Sequence, residues 1–302
     1  MLSLKNLSKS FGKTLALDDI SFDVKSGSIF GILGPNGAGK STILRSILNI
    51  ISPSNGKIFI DGINNSEYSL DNIGYLPEER GLYQRSKVKD VLKYFGKLKS
   101  LRSNELNSKI DHLAERFDLI GLLNRNVYEL SKGNQQKVQF LISIIHEPKI
   151  LILDEPFTGF DPINQHLILE IINDFKNEGK IVLLSTHMLE LAEKFCSDII
   201  LINRGQKIIS GELEKIKSQY SLDKYLIEFI GDESVLKINN VIDDIELSNG
   251  KLKITPAQGC TGSDLMEYVA SKGKILQFFK VEPTLSDIFL EMISKSPKVH
   301  NE

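Results

Sequence analysis

The sequence predicts an α/β fold with a largely parallel core sheet, an antiparallel β edge and a helical insertion, followed by a small α+β domain. Its 302 residues are enough for two domains of ordinary size. Short β-branched runs alternate with helix-length segments up to about residue 220, which is typical of a parallel sheet covered by helices. Two runs, 150–153 and 181–184, are apolar at every position, as in strands buried on both faces. We therefore expect domains at residues 1–220 and 221–302.

The elements of the first domain follow from its apolar runs and helical patterns. Strands are predicted at residues 28–33, 57–60, 73–76, 150–153, 181–185 and 198–202, and a helix is predicted at 42–50. Between residues 79 and 146 three helices, 88–99, 104–119 and 135–145, follow one another without a strong strand between them. We interpret this segment as a helical subdomain inserted into the α/β core.

The second domain mixes strands and helices over about 80 residues. Strands are predicted at 225–230 and 275–281, a helix at 263–271, and a hairpin of 245–247 with 251–254 around Asn249-Gly250. A final helix has an apolar face at i, i+3, i+4 and i+7, with Pro283 and Thr284 where its N-terminal cap belongs. The residues of that face are Leu285, Ile288, Phe289 and Met292.

Composition excludes several classes of protein. A hydrophobic content of 41% is too high for a disordered chain. With 37 Lys and Arg against 39 Asp and Glu, the chain lacks the basic field of nucleic-acid-binding proteins, so we expect no nucleic-acid partner. Cys196 and Cys260 form no CxxC pair, so two reduced thiols are expected rather than a disulfide scaffold or a zinc site. We also expect no signal peptide and no membrane span, because no long apolar segment is present.

The strongest motif is a phosphate loop between the strand at 28–33 and the helix at 42–50. It matches the pattern G-x-x-x-x-G-K-[ST], in which glycines turn the backbone so that its N–H groups face a phosphate. The lysine reaches the β- and γ-phosphates of a nucleotide, and the hydroxyl after it can bind Mg²⁺. The predicted ATP-binding residues are Gly34, Pro35, Asn36, Gly37, Ala38, Gly39, Lys40, Ser41 and Thr42.

A second motif ends the apolar run at 150–153 with two carboxylates. Asp154 is predicted to bind Mg²⁺ together with Ser41, and Glu155 is predicted to polarise the attacking water. Acidic strand ends are common, so this motif alone is weak. Together with the phosphate loop it predicts a nucleotide triphosphatase.

At this point the sequence resembles the ATP-binding subunit of an ABC transporter, a P-loop NTPase cassette. Leu130–Lys137 is similar to the family signature, Gly159–Pro162 to its D-loop, and Ser185–His187 to its H-loop. Gly74–Glu78 is in the place of the Q-loop, and Phe11 is in the place of the aromatic residue that stacks on adenine. The motifs occur in the family's order over residues 1–220.

The resemblance implies a homodimer in which two cassettes enclose two ATP molecules, and slow ATP hydrolysis coupled to transport. Ser131, Gly133 and Gln136 of the signature would then contact the nucleotide held by the other copy. Asp161 would act in the D-loop, and His187 would contact the γ-phosphate. A multi-span membrane permease would be the second partner, which places the chain in the cytoplasm at the inner face of the membrane.

Three positions depart from the usual family pattern. The signature has Lys132 where glycine is typical and Asn134 where glutamine is typical, and the Q-loop has Glu78 instead of glutamine. An ionised carboxylate accepts hydrogen bonds and cannot donate them, so Glu78 suits a further Mg²⁺ ligand better than an amide's contacts. The run from Pro77 to Tyr83 resembles a bacterial subgroup with a C-terminal extension, described as export-type or sodium-extrusion-like.

Alternatives remain at this level. A regulatory ATPase, or one acting in DNA repair or translation without a transporter, would share the cassette. The C-terminal domain suits a ligand-sensing module and equally a dimerisation or docking domain.

Overall fold

The computed structural model describes residues 1–79, 81–220, 224–231, 236–248 and 251–295. The chain divides into two compact units, residues 1–213 and 214–302. This division falls at the start of helix Leu213–Gln219, and the domain limits 1–220 and 221–302 stay a prediction. In the described residues, no helix is long and apolar enough to cross a membrane.

The first unit contains two sheets and the helices that cover them. Its strands are β1 (Leu2–Phe11), β2 (Thr14–Val24), β3 (Ile29–Leu33), β4 (Asn55–Ile60), β5 (Ile63–Asn64), β6 (Ile73–Leu76), β7 (Ile150–Asp154), β8 (Ile181–Thr186), β9 (Asp198–Asn203) and β10 (Gln206–Glu212). Its helices are α1 (Lys40–Ile47), α2 (Val88–Leu98), α3 (Ser103–Arg116), α4 (Lys132–Ile144), α5 (Pro162–Asn177) and α6 (Leu189–Phe195).

The larger sheet has six strands in the order β10-β9-β3-β8-β7-β6. The five strands from β9 to β6 are parallel, and β10 is antiparallel to β9. Every residue of β3, β7 and β8 is buried, which explains their uniformly apolar character. The prediction of a largely parallel core sheet is confirmed, and it brings the carboxyl ends of β3, β8 and β7 side by side.

The smaller sheet is antiparallel, with the order β2-β1-β4-β5. It packs on the core through apolar side chains that include Leu4, Ile20 and Ile58, together with Ile43 of α1. This sheet confirms the expected antiparallel β edge. Its first two strands were not predicted individually, because register shifts interrupt the alternation of apolar and polar residues along β1.

Three helices and two short 3₁₀ turns fill residues 88–144, so the helical insertion is confirmed. Two helices end three residues earlier than predicted. Helix α1 stops at Ile47 rather than residue 50, and α3 stops at Arg116 rather than residue 119. Asn49 and Asp118, just beyond these ends, have φ of 54° and 54°, the left-handed conformation that terminates helices.

The second unit is a four-stranded antiparallel sheet with helices. Its elements are α7 (Leu213–Gln219), β11 (Tyr225–Ile230), β12 (Ile242–Ser248), β13 (Lys251–Pro256), α8 (Gly262–Ala270), β14 (Lys274–Lys280) and α9 (Leu285–Lys295), with the strand order β12-β13-β11-β14. The predicted hairpin is present as β12 and β13, and its turn at Asn249-Gly250 lies outside the described residues. Thr284 accepts a hydrogen bond from the Asp287 N–H at 3.1 Å, so the predicted cap of the last helix is confirmed.

Candidate nucleotide site

The phosphate loop connects the end of β3 to the start of α1. Gly34 and Gly39 have φ of 154° and 107°, values that favour glycine. A Cβ at Gly34 would lie 2.2 Å from the Ile202 carbonyl oxygen, so the loop packs directly against the strand beside it. Helix α1 begins without a side-chain cap and without an acidic residue in its first turn. Its N–H groups and its dipole are therefore available to an anion.

Lys40 is buried at the first position of α1, with an exposed fraction of 6%. Its ammonium group donates hydrogen bonds to the carbonyl oxygens of Gly34 at 2.8 Å and Pro35 at 3.2 Å. It also lies 3.2 Å from Glu155 Oε1, another buried group. Contacts within the chain therefore hold the Lys40 ammonium group at the N-terminus of α1.

The two carboxylates at the end of β7 are nearly inaccessible to solvent, with Asp154 at 1% and Glu155 at 6% exposure. The Ser41 hydroxyl donates to Asp154 Oδ1 at 3.2 Å, and the Ser185 hydroxyl donates to the same oxygen. Glu155 has φ of 50°, a left-handed value for a residue with a side chain. The strand end thus directs both carboxyl groups toward α1.

Ser185 is a functional candidate to which the sequence analysis gave no role. It is fully buried on β8, directly opposite Asp154 in the sheet register. Besides its bond to Asp154, its hydroxyl accepts a hydrogen bond from the Glu155 N–H at 3.1 Å. In the sequence, Ser185 is recognisable as a candidate by its position beside Thr186 and His187 at the end of an otherwise apolar strand.

His187 follows β8 and contacts the same carboxylate as Lys40. Its Nδ1 lies 3.0 Å from Glu155 Oε2, while about half of its side chain is exposed. Glu155 is therefore the centre of a chain of three groups, with the buried ammonium on one side and the imidazole on the other. The two contacts fix the orientation of the Glu155 carboxylate at the end of β7.

Lys40 and Glu155 line a cleft of about 360 Å³, and Glu78 lies on its wall. Phe11 is not among the residues that line the cleft. Its ring is 48% exposed at the end of β1, with Lys9 Nζ 5.1 Å from the ring centroid. Adenine stacking by Phe11 stays a prediction. The lining consists of Ala16, Asn36, Gly37, Ala38, Gly39, Lys40, Ser41, Thr42, Glu78 and Glu155.

The signature residues do not line this cleft. Ser131 caps α4 by accepting a hydrogen bond from the Asn134 N–H at 3.3 Å, and Gly133 and Gln136 lie in the first turns of that helix. The helix therefore begins three residues earlier than predicted. Asp161 caps α5, and hydrogen bonds from the backbone and side chain of Asn164 hold the pKa of Asp161 below its usual value. Their roles across a dimer interface stay a prediction.

The oxygen ligands at the end of β7 fit a magnesium ion. Asp154 Oδ2 is buried and makes no hydrogen bond with the described residues, so it is free to bind a cation. The Ser41 hydroxyl beside it is a second hard oxygen, of the type that Mg²⁺ prefers. In the described part of the chain, no group of three or more His, Cys, Asp or Glu side chains could hold a metal ion.

A glycine-rich loop, a buried lysine and a carboxylate at the end of the neighbouring parallel strands define a P-loop nucleotide triphosphatase. The comparisons with known proteins identify the family. The model described as "ABC transporter" matches residues 17–158, and the model "ATP-binding protein DrrA1-3-like, C-terminal domain" matches residues 211–293.

Curated relatives match nearly the whole chain. The uncharacterized ABC transporter ATP-binding protein YhaQ of Bacillus subtilis (strain 168) is 36% identical over 97% of this chain and 98% of the relative. The Nod factor export ATP-binding protein I of Rhizobium sp. (strain N33) is 32% identical over 97% of both chains.

Solved structures match the cassette. One titled "Structure of ATP binding subunit of ABC transporter" superposes with a TM-score of 0.69 at 32% identity, covering 73% of this chain and 93% of the other. The dimeric MJ0796 cassette, a bacterial ABC transporter cassette by its title, gives 0.65 at 25% identity, covering 70% and 99%. The chain belongs to the ATP-binding proteins of ABC transporters, with a DrrA-like C-terminal domain. It is a transport motor subunit whose activity is ATP hydrolysis, and the repair or translation alternative is not supported.

Proposed function

We propose that this subunit binds ATP with Mg²⁺ in the cleft beside Lys40, pairs with a second copy around two ATP molecules, and powers export through a separate membrane permease. The observation that supports it best is the meeting of Lys40, Asp154 and Glu155 at the adjoining ends of parallel strands. The export relative of nearly equal length supports the direction of transport. On this proposal the chain lies in the cytoplasm at the inner face of the membrane.

The residues of this chain divide the chemistry among them. The N–H groups of the loop and of α1 bind the phosphates, and Lys40 leaves Glu155 to contact the β- and γ-phosphates. Glu155 accepts a proton from the attacking water, and His187 keeps the carboxylate in place. Ser41 and Asp154 would hold the Mg²⁺ ion, with Glu78 as a further carboxylate on the cleft wall. When bound, that ion neutralises charge on the phosphate oxygens.

The second copy completes the site. Ser131 and Gly133 lie at the N-terminus of α4, outside the chain's own cleft, and a helix N-terminus attracts an anion. In a head-to-tail pair these residues, with Gln136, would contact the γ-phosphate held by the other subunit. Asp161 would lie at the same interface.

An exposed aromatic surface suits the permease. It consists of Tyr83 and Tyr94, which are 54% and 47% exposed, and the partly exposed ring of Phe95 beside them. The Tyr83 and Tyr94 rings meet edge to face at 5.6 Å and border a groove of about 360 Å³. Exposed aromatic clusters mark protein interaction sites, and this one lies in the chain shortly after Glu78. We assign it to a cytoplasmic segment of the permease.

Substitution of Lys40 tests the cleft. Lys40→Ala removes the only ammonium group among the residues that line it, and we expect calorimetry to show loss of ATP binding in an otherwise folded chain. Unchanged ATP affinity would refute the assignment.

Substitution of Glu155 tests the pairing. Glu155→Gln keeps the shape of the side chain and removes the base, so ATP should bind without turnover and hold two copies together. Light scattering at saturating ATP with Mg²⁺ should then show a dimer. A monomer under these conditions would contradict the proposed sandwich.

A further inference from the structure

Gln139 is a polar residue in the apolar middle of α4. Its exposed fraction is 6%, and Val138 and Phe140 on either side are fully buried. Burying an amide is unfavourable unless its polar atoms find partners. The presence of Gln139 at this position therefore needs a specific contact to offset its burial.

That contact is with the segment around Glu78. Gln139 Nε2 donates to the carbonyl oxygens of Pro77 at 3.2 Å and Glu79 at 3.0 Å, which flank Glu78 on both sides. Strand β6 ends at Leu76, and across the residues that the structure describes no backbone–backbone hydrogen bond holds 77–79. The amide of Gln139 is thus an anchor for this part of the backbone.

The contact also fixes how the amide is oriented. Both partners are carbonyl oxygens, so only the NH₂ group of Gln139 can face them. The reverse orientation would place Gln139 Oε1 against these two oxygens, and none of the three could donate a hydrogen bond. Gln139 Oε1 is buried and makes no hydrogen bond with the described residues. Burial of this unpaired oxygen is unfavourable, and the two hydrogen bonds from Nε2 to the backbone of Pro77 and Glu79 offset it.

We propose that Gln139 is a positioning residue, whose amide clamps the backbone on both sides of Glu78 and thereby keeps the Glu78 carboxylate on the wall of the nucleotide cleft, where it contacts the cation of the bound nucleotide. The inference rests on the proposed function of the cleft. Gln139 itself does not line the cleft. It acts from the helix that begins at the signature, about 10 Å along the axis from Lys132.

A matched pair of variants separates positioning from stability. Gln139→Met keeps an unbranched buried side chain and removes both donors; Gln139→Leu serves if the methionine variant does not fold. Asn65→Leu is the control, because Asn65 is buried and donates to the carbonyl oxygens of Ser46 at 2.8 Å and Ile47 at 3.2 Å. That contact lies at the end of α1 opposite the phosphate loop.

The measurements use the full chain with a fluorescent ATP analogue, with and without Mg²⁺. We expect Gln139→Met to reduce the Mg²⁺-dependent gain in affinity about five- to tenfold and to leave the affinity without Mg²⁺ within about twofold of wild type. Asn65→Leu should lower the unfolding midpoint and leave both affinities at their wild-type values. A wild-type Mg²⁺ effect in Gln139→Met, or an equal loss in Asn65→Leu, would overturn the proposal.

A double-mutant cycle with Glu78→Gln tests whether Gln139 acts through Glu78. In that background Gln139→Met should change the Mg²⁺ effect no further, whereas additive losses would exclude a shared role. A full Mg²⁺ effect in Glu78→Gln alone would also overturn the inference, yet it would leave the cleft assignment intact. Failure of the cleft assignment is detected separately, by ATP binding to Lys40→Ala.

Discussion

The Ser185 hydroxyl links the Asp154 carboxylate to the backbone of Glu155, since it donates to Asp154 Oδ1 and accepts from the Glu155 N–H. Groups that orient metal ligands typically contribute 10- to 100-fold in metal affinity or activity. We expect Ser185→Ala to lower ATPase turnover by about that factor and to raise the Mg²⁺ concentration needed for half-maximal rate. Steady-state assays over a Mg²⁺ titration measure both effects.

Two further variants make this prediction specific. Ser143→Ala removes another buried serine hydroxyl, which donates to the Phe140 carbonyl within α4, and should leave the Mg²⁺ titration unchanged. Ser185→Thr keeps the hydroxyl and should recover most of the rate. An unaltered Mg²⁺ requirement in Ser185→Ala would show that the hydroxyl only fills space.

His146 gives the fold a pH dependence. Burial lowers its pKa to about 4, while a contact with the Ile73 carbonyl at 3.1 Å opposes the shift. The unfolded chain, with an ordinary histidine pKa of about 6.5, therefore binds more protons than the folded chain between these values. The resulting stability is complete above pH 6.5 and is lost as the pH falls toward 4.

Comparison with a variant that does not titrate isolates this effect. Between pH 7 and pH 4.5 the wild-type chain should lose on the order of 2 kcal/mol more unfolding free energy than His146→Gln, measured by urea denaturation. Parallel losses in the two proteins would show that His146 is not the group responsible.

At the scale of elements, the aromatic surface of α2 should affect coupling and not chemistry. Tyr94→Ser removes an exposed ring that contacts Tyr83 and Phe95 and does not line the nucleotide cleft. We expect basal ATPase activity to stay within about twofold of wild type, because interface residues outside the site leave its groups in place. Stimulation by the co-purified permease should fall by tenfold or more.

Lys93→Ser, a change on the same helix outside the aromatic surface, is the control. Equal stimulation in both variants would contradict the docking assignment.

The sequence predicted elements best where one physical signal dominated. The all-apolar strands β7 and β8 and the phosphate loop were predicted closely, because burial on both faces and the glycine spacing leave few alternatives. Strands β1 and β2 were not, since Asn6 and Asp19 have φ of 51° and 51° and shift the register that a period of two would show. Helix α5 was also not predicted, although Asp161-Pro162 is a strong start signal.

In the candidate site, too, residues within a local motif were predicted and residues that act through long-range contacts were not. Residues within one motif, such as Gly34 to Thr42, could be assigned from spacing alone. Ser185 and Gln139 act through hydrogen bonds to groups 31 and 60 or more positions away in the chain. Such contacts depend on which strands are neighbours and how a helix crosses them, and no local pattern in the sequence contains that information.

At the scale of the whole molecule, every residue that lines the cleft belongs to the unit of residues 1–213. A chain ending at Leu213 or Tyr220 should therefore bind ATP with an affinity within about threefold of the full chain, because that unit has its own core. Calorimetry on both truncated chains measures this. A large loss of affinity in a folded truncation would show that residues 214–302 contribute to the site. Loss of dimerisation alone would instead favour the dimerisation role over ligand sensing.

The ion pair between Lys40 and Glu155 has a consequence for the cycle as a whole. The carboxylate lies 3.2 Å from the ammonium group, and the Gly34 carbonyl accepts a hydrogen bond from it, so contacts within the chain satisfy the buried cation. On the proposed function, release of the nucleotide would then leave no unpaired buried charge, which otherwise costs several kcal/mol. The residue proposed to take a proton from water would thus also be the counter-ion of Lys40, and one side chain would serve both turnover and release.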